Sequence, residues 1–277
     1  MSFTRNSVRI VRTLALLAAL CATPAYAVTV SPTALFLDSR NPGGTLTLYN
    51  GGTMPEEVEI SFSFGYPVTD ANGNVTVQFR DTAAAGEPSL VPWLRAFPRR
   101  LQLAPGQQQT IRVMASPPAE LAGGEYWGRV MVRARGGQPP IEQTQGNVRV
   151  ALDVETEVAT AVLFRKGDVT TGAAVRGATV RPAADRVDVL LDLERTGNAA
   201  FLGRVQARVV GPDGRVLGQA EDAVALYRQL RWKLAIPAPA GGFPAGSTVQ
   251  YTVDTERPDL PRGALGAPPV TGSVPLR

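Results

Sequence analysis

The chain has 277 residues, with 28 Lys or Arg against 24 Asp or Glu, one cysteine and no histidine. That inventory excludes an internal disulfide, a histidine-based triad and a Cys/His zinc site, so any catalysis would rest on carboxylates, Lys, Ser or Tyr. The formal net charge of +4 is no nucleic-acid footprint, because three of the basic residues fall in an amino-terminal leader and the remainder carries +1.

The leader is the first element. Arg5, Arg9 and Arg12 precede a short apolar run from Leu14 to Leu20, and Ala25-Tyr26-Ala27 offers small residues flanking a cleavage point. This is the pattern of a secretory signal peptide over residues 1–27, and its apolar run is too short to span a bilayer. Cys21 would suggest a lipid-modified amino terminus only if a small residue preceded it, and Leu20 stands there. Removal of the leader takes away the one cysteine.

Beyond the leader no long stretch carries apolar residues at helical spacing, and period-two alternation recurs instead. Leu46 and Leu48 alternate in "TLTLYN". Val58, Ile60, Phe62 and Phe64 do so in "EVEISFSF", and Val75, Val77 and Phe79 in "NVTVQF". Turn sequences punctuate the runs, such as "DANGN" at 70–74 and "GPDGR" at 211–215. The stretch "PRRLQLAPGQQQTIRV", Pro98 to Val113, is expected to be a hairpin about Ala104-Pro105-Gly106, with Leu101, Leu103, Ile111 and Val113 facing a core. Glu125 in "GGEYWGR" is expected as a solvated residue at a hairpin edge, Glu56-Glu57 and Glu221-Asp222 as solvated strand ends or turns, and residues 133–146 as a long exposed loop. Trp93, Trp127 and Trp232 are expected in cores or on sheet faces.

The pattern resets around residues 155–168, and the runs 185–197, 203–218, 225–236 and 247–255 supply strands for a second unit. Residues 257–269, rich in Pro and Gly, are expected to be irregular. The fold class expected is all-β, with two immunoglobulin-like β-sandwich domains in tandem: residues 28–155 and 156–277 after the leader. No Gly-rich loop opens a helix, and no aromatic-interleaved basic groove appears, so neither a phosphate cradle, a nucleic-acid partner nor any cofactor is expected.

One strand stands out. In "NVRVALDVE" the residues Val148, Val150, Leu152 and Val154 share one face, with Arg149, Ala151, Asp153 and Glu155 on the other. Two readings of this alternation stay open: a strand covering its own domain's core, or a strand lent to another chain by edge pairing.

At these residues the chain resembles a known family. The opening "VTVSPTALFLDSRNPGGTLTLYNGG", then "PWLRAFPRRLQLAPGQQQTIRV" and "LAGGEYWGRVMV", are similar in order and spacing to the first domain of the periplasmic pilus-assembly chaperones of the chaperone–usher pathway, over residues 28–155. The second unit matches in size and class, with the short run ending at Leu163-Phe164 as a local match. The resemblance implies a non-catalytic periplasmic protein whose strand Asn147–Glu155 completes the unfinished sandwich of a secreted pilus or fibre subunit. Val148, Val150, Leu152 and Val154 would be the donated residues. The resemblance allows an outer-membrane usher as a second partner and implies no ATP site, no cofactor and no membrane-spanning segment. One departure matters. The family holds the subunit's terminal carboxylate with an Arg in the first strand and a Lys at the start of the second domain, whereas Thr33 and Ala34 stand here and "EVATAVLF" has no Lys. Arg40, Arg165 and Lys166 lie nearby as candidate replacements, and Arg112 matches a family arginine with a structural role. The departure points to a divergent member, and it leaves an alternative: an immunoglobulin-like envelope protein, structural or adhesive, that displays residues 65–86 or 133–146 to a wall polymer, glycan or neighbouring protein. A carboxylate-only hydrolase has the least support.

Overall fold

The computed structural model describes residues 28–137, 141–145, 148–152 and 155–276, with backbone only for the two segments between 141 and 152. The expected leader and Val154 therefore lie outside the described residues. The chain is all-β. In order the strands are β1 (Thr29–Ser31), β2 (Ala34–Asp38), β3 (Gly43–Tyr49), β4 (Glu56–Ser63), β5 (Pro67–Thr69), β6 (Val75–Val77), β7 (Leu94–Phe97), β8 (Arg100–Leu103), β9 (Gln108–Ala115), β10 (Gly124–Gly136), β11 (Ile141–Gln145), β12 (Val148–Leu152) and β13 (Glu155–Lys166). The second half adds β14 (Thr171–Pro182), β15 (Arg186–Gly197), β16 (Phe201–Val210), β17 (Val216–Leu226), β18 (Gln229–Pro237), β19 (Thr248–Asp254) and β20 (Val270–Pro275).

Two sandwiches result. In the first, a sheet ordered β1-β3-β9-β7 faces one ordered β2-β13-β10-β4-β8; in the second, β14-β15-β18 faces β17-β16-β19-β20. Both orders are those of the immunoglobulin sandwich, in which one sheet gathers the early strands with the fifth and the other gathers the middle and last strands. Period-two alternation drives each half. Leu46, Leu48, Val58, Ile60, Ile111, Val113, Val130, Val132, Val162 and Phe164 meet in the first core. Val187, Val189, Leu191, Val205, Val209, Trp232, Leu234, Ile236 and Val249 meet in the second. Each such side chain removed from water contributes roughly 1.5–3 kcal/mol.

Four expectations are corrected. Pro98 to Val113 is no hairpin: β8 pairs with β4 in one sheet and β9 with β3 and β7 in the other. The turn at Ala104–Gln107 thus carries the chain from sheet to sheet, which lets Leu103 and Ile111 enter the same core from opposite sides. Asn50, the last residue of the "LTLYN" run, secures this arch. Its buried side chain accepts from the Gly52 N–H at 2.7 Å and donates to the Met54 and Leu103 carbonyls at 2.9 Å each. The Gly106 N–H donates to the Asn50 carbonyl at 2.8 Å.

Next, residues 133–146 are no loop over their described part, because β10 runs on to Gly136 and β11 follows. Third, the division between the sandwiches falls one strand later than 155/156. β13 pairs with β10 along its whole length and with β2 at its end, so residues 167–170 make the crossing. Fourth, residues 65–86 are not simply displayed. The hairpin β5–β6 turns at Gly73, whose φ is +78°, and rests on β18. There the Arg231 N–H donates to Thr69 Oγ1 at 2.7 Å, and Lys233 Nζ reaches Asn74 Oδ1 at 3.1 Å. Residues 257–269 are irregular, as expected.

Candidate functional site: the free edge of the first sandwich

The last strand of the first sandwich has one side committed and one side largely open. β13 pairs antiparallel with β10 from Glu155, opposite Arg135, to Lys166, opposite Gly124. On its other side β2 joins in parallel only at Ala161–Arg165, opposite Ala34–Asp38. From Glu155 to Thr160 that side has no strand partner among the described residues. Before β13 in the chain, β12 pairs only with β11 among the described residues: Val148 opposite Gln145, Val150 opposite Gln143 and Leu152 opposite Ile141. Val148, Val150 and Leu152 lie on β12, whose other side has no strand partner among the described residues, and Val154 lies outside the described residues. Unpaired backbone N–H and C=O groups on a strand edge are a template for pairing with another chain.

Charge around this edge is locally balanced. Arg133 pairs with Glu155 at 2.9 Å and with Glu157 at 3.2 Å, and Arg135 also reaches Glu155. These pairs are half exposed and screened by solvent, so they add little to stability. They hold the outer face of β10 and β13 polar, which keeps it wet while the edge stays open.

The three candidate anchoring cations are engaged differently. Arg40 is exposed on the turn after β2, where its backbone N–H donates to Asp38 Oδ1 at 2.7 Å. The Asn41 and Arg40 N–H groups hold the Asp38 carboxyl below its ordinary value against partial burial. Lys166 Nζ donates to the Ala119 carbonyl. Arg165 is committed internally: its Nε meets Glu125 Oε2 at 2.8 Å, its guanidinium lies 4.7 Å from the Phe36 ring centre, and it donates to the Gly263 carbonyl. The three do not converge on one acceptor among the described residues. Arg112, expected to be structural, is exposed on β9 opposite Phe97.

Glu125 is the clearest correction. Expected in solvent, it is 2% exposed. The second sandwich covers it: the Ala200 N–H donates to Glu125 Oε1 at 2.8 Å while Arg165 takes the other oxygen. Burial pushes its pKa up, opposed by the Arg165 hydrogen bond, the Ala200 N–H and the charges of Arg165 and Arg195. Both oxygens are occupied and closed to solvent, so this carboxylate is a structural group with no room for a substrate.

Around it the sandwiches share a third cluster. Ala34, Phe64, Trp127 and Leu163 of the first meet Ala200, Leu202 and Tyr227 of the second. The Trp127 and Tyr227 ring centres are 5.0 Å apart, and the Arg129 guanidinium lies 5.2 Å from the Tyr227 ring. Burial raises the Tyr227 phenol's pKa. Farther out, Glu87 accepts from Arg80 at 2.8 Å, from Tyr66 at 3.2 Å and from Arg228 of the second sandwich at 3.3 Å. Sequence reading placed Trp127 and Trp232 correctly in buried surroundings, and both are under 10% exposed. It missed the Glu125–Ala200, Glu87–Arg228 and Thr69–Arg231 contacts. Their partners lie 75, 141 and 162 residues apart, and no periodic signal links such positions.

No protein-family model matches the chain, and no curated protein matches it. Solved structures are similar at low identity. The Salmonella enterica SafA pilin in complex with the SafB chaperone matches at 16% identity and a TM-score of 0.42, covering 91% of this chain and 99% of that one. The Pseudomonas aeruginosa CupB2 chaperone matches at 11% and 0.40, covering 90% and 100%. The E. coli chaperone DraB matches at 13% and 0.39, covering 89% and 96%.

Proposed function

We propose that this is a non-catalytic, chaperone-like protein of the periplasm that binds secreted pilus or fibre subunits by donating an edge strand. The observation that carries the reading is that, among the described residues, one side of β12 and of β13 at Glu155–Thr160 has no strand partner, with apolar residues alternating at 148, 150 and 152. Physically, a subunit missing a strand exposes an apolar groove and an open edge, the two features that drive aggregation. A donated strand closes both, with main-chain hydrogen bonds giving affinity and alternate side chains giving fit. The amino-terminal leader would deliver the chain to the periplasm, and no helix among the described residues is long and apolar enough to cross a membrane.

Arg165 is tied to Glu125 and Lys166 to the Ala119 carbonyl, so these two cations are spent within the chain and capture rests on the strand. The test is co-purification from periplasmic extract, using the chain with Val150→Asp and Leu152→Asp against the unaltered chain. Loss of captured subunits and of surface fibres, with an unchanged melting temperature, supports the reading. Unchanged capture by the double variant refutes it.

A further inference from the structure

Glu56 opens β4 beside Glu57, and the two behave differently. Glu57 is exposed as expected, whereas Glu56 is 3% exposed. Glu56 Oε1 lies against Gly137, where a Cβ would come within 2.4 Å of it. Oε2 is buried with no hydrogen-bond partner among the described residues. Burial raises the carboxyl's pKa, and the one opposing influence is a backbone hydrogen bond from Val28. A buried carboxylate with no cation costs several kcal/mol, so folds supply a counter-ion or leave the acid protonated.

Val28 is itself 3% exposed and packs in the first core, directly ahead of β1. It is also the residue that follows Ala25-Tyr26-Ala27. While the bond from Ala27 to Val28 is intact, the Val28 nitrogen carries one hydrogen. Hydrolysis adds water across that bond: Ala27 leaves as a carboxylate, and the Val28 nitrogen, protonated at neutral pH, becomes an ammonium with three donors and a full positive charge. We propose that the α-ammonium of Val28, created when the leader is removed, is the counter-ion of Glu56, so that processing completes the first sandwich. The proposal rests on the reading of residues 1–27 as a cleaved leader.

The experiment exports the full chain, reads the mature amino terminus by intact mass, and measures unfolding in urea. A second version carries Ser-Gly-Ser inserted after Ala27, so that an amide replaces the ammonium at Val28, and Glu56→Gln is made in both. The expected result is a mature chain starting at Val28 in which Glu56→Gln lowers the folding equilibrium constant by about tenfold. In the extended chain the same substitution is neutral or stabilising. A mature chain starting elsewhere overturns the leader reading and the proposal with it. A start at Val28 with equal effects of Glu56→Gln in the two versions overturns the ion pair alone.

Discussion

Replacing Glu125 tests how the sandwiches are joined. Glu125→Ala leaves the Ala200 N–H, 2.8 Å from the lost oxygen, without an acceptor in a closed site. An unsatisfied buried donor costs about 1–3 kcal/mol, and the lost side-chain packing adds to it. Arg165 keeps the Gly263 carbonyl, its contact with Phe36 and 14% side-chain exposure, so its stranded charge contributes little more. The sum expected is a loss of about 2–3 kcal/mol. Glu125→Gln differs, because it keeps an oxygen for Ala200 and removes a charge that burial disfavours. It should destabilise less than Glu125→Ala at pH 7, because the Ala200 hydrogen bond survives and the charge left on Arg165 keeps the Gly263 carbonyl and partial exposure.

The sign of the pH dependence follows. A carboxyl whose folded pKa lies above its unfolded value, about 4.3, favours the fold while protonated. Wild-type stability relative to Glu125→Gln therefore falls as pH rises from that value through the raised folded one. Urea unfolding across pH gives both quantities, and calorimetry should show Glu125→Ala splitting a single transition into two as the interface loosens. Equal destabilisation by Gln and Ala would mean that charge, and not the Ala200 hydrogen bond, holds the joint, and the reasoning would fail.

Other outcomes are as definite. Asn50→Ala should cost about 1–3 kcal/mol in chemical denaturation, since it strands the buried Leu103 carbonyl and removes the partly buried bond to the Met54 carbonyl, which together pin the sheet-to-sheet arch. Leu103→Ala, in the first core, should cost about 2–5 kcal/mol, and a loss below about 1 kcal/mol would show that the arch does not bury it. Glu87 is partly desolvated, but the Ala84 N–H and the Arg80 guanidinium bring its pKa below the ordinary value. Its contribution is full above the unfolded value and is lost as pH falls through the depressed folded one, so Glu87→Gln should flatten acid unfolding below about pH 4.3. Gly73→Ala places a Cβ 2.8 Å from Lys233 at a φ of +78°, and should release the β5–β6 hairpin from β18, read as faster amide exchange at Arg231.

The architecture was legible because a strand's period of two writes the core face into adjacent residues. "TLTLYN", "EVEISF" and the run 185–197 announced buried positions that the two cores contain. The turns at 70–74 and 211–215 were legible too, since Gly at a positive φ has a local chemical cause. Which sheet a strand joins is a different kind of fact. Leu101 and Leu103 alternate identically whether β8 pairs with β9 or crosses to β4, and the pairing is chosen by long-range packing. The same holds for the two buried glutamates. Nothing near Glu125 or Glu56 in the chain marks them as enclosed, because the groups that enclose them, Ala200 in one case and Val28 with Gly137 in the other, arrive from distant segments. Sequence alone therefore settled the strand-based class and carried the apolar alternation at 148–152. Tertiary structure decided which side of β13 lacks a strand partner among the described residues and which charges are spent inside, because hydrophobic periodicity is local, whereas desolvation depends on whatever the rest of the chain brings alongside.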